Sequence, residues 1–141
     1  MYPRAKAFGI ALHNERILVQ EYITESETYY RPLGGSIEFG EKSNETVIRE
    51  WKEELGTQVE VMDYLGCLEN MFHGGHEIIQ LYSIRFLDPS LYEIEMIPIR
   101  DEEPNTYAKW IPITAFLGQE KVLYPNGLIA LLAIKIKDGI L

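Results

Sequence analysis

At 141 residues, 46% of them hydrophobic and 25% charged, the chain has the make-up of one folded domain (1–141) and not of a disordered segment. Its 22 acidic residues outnumber 13 basic ones, and the net charge of -9 repels nucleic acid over most of the surface, which excludes double-stranded DNA or RNA as an expected partner. Without an apolar leader or an apolar span of about twenty residues, a cytoplasmic protein clear of the membrane is expected.

In chain order, "KAFGIALH" and "RILVQEYI" are β-type runs joined by the turn-like "HNER", a hairpin pattern. "TESETYYRP" is polar and then aromatic and reads as a loop, with Arg31 extended because Pro32 follows it. Gly34 and Gly35 then allow a tight backbone path. A helix is expected from Ser43 to Leu55, with Ser43 as its N-cap and Gly56 at the left-handed position beyond its end. "QVEVMDYLGCLENMF" and "HEIIQLYSIRFLD" read as strands separated by "HGG". Cys67, the single cysteine, lies among apolar neighbours in the first of them and reads as a small buried hydrophobe. "AKWIPI" is a short strand, and "PNGLIALLAIKIKDG" is a second helix with Pro125 near its start. Strands on both sides of a helix, with another helix at the end, indicate an α/β layered domain.

The helix carries the chemistry. Residues three and four apart share a helix face, so Glu50, Glu53 and Glu54 point the same way, while Val47, Trp51 and Leu55 form a stripe turned toward the core. Like charges at that spacing repel by a few tenths of a kcal/mol per pair. Such a face is either solvated, with relief from Arg49 and Lys52, or a site for a hard divalent cation that prefers oxygen ligands.

The longer pattern decides between the two. Five residues separate Gly35 from Glu41, seven more separate Glu41 from Arg49, and Arg49-Glu50-Trp51-Lys52-Glu53-Glu54-Leu55-Gly56 follows. This resembles the signature of the Nudix hydrolases, Gly-x5-Glu-x7-Arg-Glu-U-x-Glu-Glu-x-Gly-U with U a bulky apolar residue. Its final apolar position is Thr57 here, a departure in packing that leaves the carboxylates intact.

The resemblance implies an α/β/α sandwich with a mixed β-sheet. It further implies hydrolysis of the diphosphate bond of a small nucleotide with Mg2+ or Mn2+. Candidate substrates are a nucleoside triphosphate, oxidised ones included, and a nucleoside diphosphate linked to another group such as ADP-ribose. By motif position, Glu50 and Glu54 are the principal metal ligands and the Gly34 carbonyl a third. Glu53 is a further ligand or a base, and Arg49 orients Glu53 or Glu41. The family often adds a carboxylate from a loop ahead of a late tryptophan strand, and Asp101, Glu102 and Glu103 precede Trp110, with Glu103 favoured. Glu77, opening a strand, is a second such candidate. His73 and His76 are too few and too close for usual zinc spacing, which leaves them to contact substrate or end a loop. Arg31 is placed to meet a phosphate, and Tyr29, Tyr30, Phe72 and Tyr124 to stack on a base, of which Tyr30 and Phe72 are the residues chosen. A nucleotide-sensing module without turnover is the alternative, and either form leaves a homodimer open.

Overall fold

The computed structural model describes residues 2–100 and 105–141. Among the described residues, two sheets, three α-helices and a short 3-10 helix (Pro89–Glu93) form the domain. The first sheet runs in the order β5 (Leu33–Ser36), β1 (Arg4–Ile10), β7 (Gly75–Phe86), β6 (Val59–Phe72). It is mixed, because β1 lies parallel to β7 while the outer pairs are antiparallel. The second sheet is antiparallel: β2 (Leu12–His13), β3 (Arg16–Ile23), β9 (Tyr107–Pro112) and β8 (Met96–Pro98), with β4 (Thr28–Arg31) on β3.

Both faces of the mixed sheet are covered, and the period-2 alternation of β1 shows it. Ala7 belongs to a buried cluster with Val47, Trp51 and Leu55 of α1 (Ser43–Leu55), whereas Phe8 belongs to one with Leu128 and Leu132 of α3 (Leu128–Lys137). A third helix, α2 (Ile113–Leu117), adds Ile113 and Phe116 to the second cluster. The expected α/β/α sandwich is therefore what the chain forms.

Helix α1 has the expected bounds. Gly56 takes the left-handed conformation at φ 70°, and its amide closes on the Lys52 carbonyl at 2.8 Å. The N-cap is Lys42 and not Ser43. The Glu45 carboxylate turns back to accept the Lys42 amide at 2.8 Å, which frees the Ser43 hydroxyl to bond Tyr82 across 2.6 Å.

Three other expectations are corrected. The predicted hairpin of "KAFGIALH" with "RILVQEYI" forms only at its tip, where Leu12–His13 pairs with β3, because the rest of the first run belongs to β1, which takes β5 and β7 as its partners. The segment read as a loop is strand β4 over Thr28–Arg31. Cys67 is exposed, because β6 is an edge strand whose pairing with β7 is irregular between Val61 and Gly66.

Candidate active site

Trp51 fixes the relation of helix to glycine loop. Fully buried, it stands edge-on to Phe86 with ring centroids 5.7 Å apart, and its indole N–H donates to the Leu33 carbonyl at 3.1 Å. The residue before the glycines is thereby tied to the middle of the acidic helix. The glycines then pass where no side chain fits. A Cβ on Gly34 would meet the Ala7 carbonyl, and one on Gly35 would overlap the Glu50 carboxylate. Gly35→Ala should therefore displace Glu50 and lower turnover about tenfold or more, as expected when a ligand's orientation is lost. Steady-state rates against metal concentration check this, with a raised metal requirement as the expected signature.

Arg49 is the hub of the acidic cluster. Its Nε donates to Glu41 Oε2 at 2.7 Å, its Nη1 to Glu50 Oε1 at 2.9 Å and more weakly to Glu53 at 3.3 Å, and its Nη2 to the Ser36 carbonyl at 3.0 Å. Glu41 also accepts the Thr46 hydroxyl at 2.6 Å. The Arg49 guanidinium and then the Thr46 hydroxyl hold the Glu41 carboxyl at about 2, below its ordinary 4.5, and the same pairing pushes Arg49 up. A depressed folded-state value means that Glu41 contributes its full stability above pH 4.5 and loses it as pH falls through 2. Acid unfolding of Glu41→Gln, followed by circular dichroism, should show a shallower loss of stability across that window than the parent.

The three helix carboxylates do not all converge as their spacing suggests. Arg49 draws Glu50 and Glu53 to one side, while Glu54 faces a hollow of about 150 Å³ lined also by Gly34, Gly35, Arg31, Lys6 and Glu77. Among the described residues, no three carboxylate, histidine or cysteine side chains are drawn together closely enough to hold one ion by themselves. One guanidinium faces four carboxylates, because Glu38 also lies 3.7 Å from it, so the cluster keeps an excess of negative charge. All the donors are hard oxygens, and the space that a Cβ on Gly35 would fill lies against one of them. That set fits a hard divalent ion held through one or two carboxylates, a backbone carbonyl and substrate phosphate.

A matching family model covers residues 3–129 and is described as the NUDIX domain. The chain belongs to the NUDIX family. Membership makes it a hydrolase that cleaves pyrophosphate bonds, in a family that acts on small nucleotides and generally uses divalent cations. Solved structures agree on the fold. A MutT protein from Methanosarcina mazei Go1 superposes with a TM-score of 0.73 at 15% identity, over 97% of this chain and 96% of that one. A MutT NUDIX hydrolase from Burkholderia pseudomallei gives 0.69 at 21% identity, over 93% and 97%. A UDP-X diphosphatase gives 0.69 at 17% identity, over 100% of this chain and 66% of its own. No curated protein matches.

The remaining candidates divide. Arg31 and Glu77 meet: Arg31 Nη2 donates to Glu77 Oε1 at 3.2 Å, and Asn70 Nδ2 donates to the same oxygen at 3.2 Å. Phe72 borders a hollow of about 370 Å³ with Arg31, Tyr29, Tyr124, Asn70 and Asn126. Tyr30 is not on that wall. Alternation along β4 turns it inward, where it is 3% exposed, packed on Phe116 and bonded to Glu21 at 2.7 Å. Tyr29 takes the outward position, 5.0 Å from Tyr22 and 5.2 Å from Tyr124. Glu103 lies outside the described residues, as do Asp101 and Glu102. Sequence reading missed Asn70, whose signal is its cross-strand register with Glu77, and Asn126, which has none beyond its place ahead of α3.

Proposed function

We propose that this enzyme hydrolyses the diphosphate bond of a small nucleotide with magnesium or manganese. The observation that carries the reading is the glycine loop held against Glu50 and Glu54 beside an aromatic hollow reached through Arg31. Glu50, Glu54 and the Gly34 carbonyl would hold the cation. The chemistry that a bound ion supplies there is neutralisation of the diphosphate and a lowered pKa for the attacking water.

The side chains divide the remaining work. Arg31 would reach phosphate, and its buried Nε has no hydrogen-bond partner among the described residues, which an anion would supply. Glu77 and Asn70 orient that guanidinium from behind. Phe72, Tyr29 and Tyr124 offer faces for a base. Glu53, exposed beyond Arg49, would accept a proton from water at its carboxylate. Arg49 positions Glu50 and Glu53.

Arg31→Ala should raise KM for nucleotide about tenfold or more, the effect of losing a charge-assisted phosphate contact, with a smaller change in kcat. Initial-rate kinetics test this, and an unchanged KM would remove Arg31 from the site.

A further inference from the structure

Three hollows share lining residues, the first of them bordered by Gly34 and Gly35, and two cations beside them have no place in the reading above. Arg4 and Lys6 are two apart on β1 and so share a face; they lie opposite Glu77 and Ile79 in the parallel register with β7. Lys6 borders the same hollow as Glu54 and Gly34. Arg4 borders a larger one of about 790 Å³ with Tyr2, Phe72, His76 and Glu77. Neither cation comes within ion-pair distance of a carboxylate among the described residues, unlike Arg31, Arg49, Arg85 and Lys109.

In a chain with 22 acidic and 13 basic residues, Lys6 joins Arg31 in the first hollow and Arg4 borders the third, and neither Lys6 nor Arg4 is ion-paired among the described residues. The hollows are continuous in their lining: Arg31 is shared by the first two, Glu77 by the first and third, and Phe72 by the second and third. A molecule with phosphate at the glycine loop and a base against Tyr29 and Tyr124 would therefore send its far end along Lys6 toward Arg4. A neutral sugar there would leave both cations without counter-charge. A terminal phosphate carries close to two negative charges at neutral pH and supplies it.

We infer that Lys6 and Arg4 form a site for the terminal phosphates of a nucleoside triphosphate, so that the enzyme prefers triphosphates to diphosphates esterified at both ends. The inference rests on the proposed reading of the glycine loop and acidic helix as the diphosphate site. Both residues lie at the surface end of β1, and their loss leaves the buried clusters intact.

The test compares the parent with the Lys6→Ala/Arg4→Ala double variant in two assays. The first is kcat/KM for a nucleoside triphosphate and for ADP-ribose; the second is calorimetric binding of inorganic pyrophosphate with calcium, which needs no turnover. The parent should favour the triphosphate, and the double variant should lower the triphosphate-to-ADP-ribose ratio at least about tenfold and weaken pyrophosphate by a similar factor, as loss of two charged contacts to phosphate implies. Pyrophosphate affinity unchanged in the variant, or a parent that prefers ADP-ribose, overturns the inference while leaving the hydrolase reading in place. A parent that binds pyrophosphate through these residues but cleaves neither nucleotide supports the site and counts against the proposed substrate instead.

Discussion

Replacing Glu54 by Gln should lower metal-dependent nucleotide hydrolysis by more than about a hundredfold while leaving the melting midpoint near that of the parent. The expected size follows from the position. Loss of a group that merely orients a ligand costs about 10- to 100-fold, so loss of a ligand itself should exceed that. Glu54 is the helix carboxylate that faces the hollow shared with Gly34, Gly35 and Glu77. The amide keeps the shape of the side chain but removes its charge and exchanges one acceptor oxygen for an NH2 donor. Glu54 also lies at the end of α1, where its backbone carbonyl accepts the Arg100 amide at 2.7 Å, and that contact survives the substitution. Turnover assayed beside a thermal melt separates the two effects. A variant that melts early as well would assign Glu54 a structural task.

The second large effect is on stability. Trp51→Ala should cost about 3–5 kcal/mol, the range for removing a fully buried aromatic, and lower the midpoint by roughly 10–15 °C in a domain of this size. Against a total stability of about 5–15 kcal/mol that is a large share. The side chain fills the space opposite Gly9, where a Cβ would crowd the indole nitrogen at 2.6 Å, and it contacts Phe86. Trp51→Phe isolates the second role. It keeps most of the buried volume but loses the bond to the Leu33 carbonyl, leaving the strand that carries Gly34 and Gly35 less firmly tied to the helix. Its midpoint should fall less than that of the alanine variant, and its turnover should fall more than its stability does. Equal stability losses in the two variants would contradict this division.

How far the chain could be read without coordinates depended on how local each signal was. Helix α1 was legible apart from its N-cap because its period, its tryptophan stripe and Gly56 all lie within one stretch. The family signature lies in the same stretch, which is why the acidic site was found. The partner of β1 was not legible: β7 lies some seventy residues away, and a parallel pairing leaves no turn residue to announce it. Tyr29 and Tyr30 are indistinguishable without the strand register, since a one-residue shift along a strand exchanges its faces. The same shortfall hid Arg4 and Lys6, ordinary surface cations until β1 is placed beside the glycine loop. The splitting of Glu50 and Glu53 from Glu54 could not be read from helical spacing, because it follows from where Arg49 puts its guanidinium.

The most direct test of the central claim is release of phosphate or pyrophosphate from a panel of small nucleotides, with magnesium, with manganese and with a chelator. The account predicts cleavage of at least one nucleotide with metal and its loss in the chelator. Cleavage indifferent to the chelator, or tight metal-dependent binding of nucleotides with no cleavage across the panel, would contradict it.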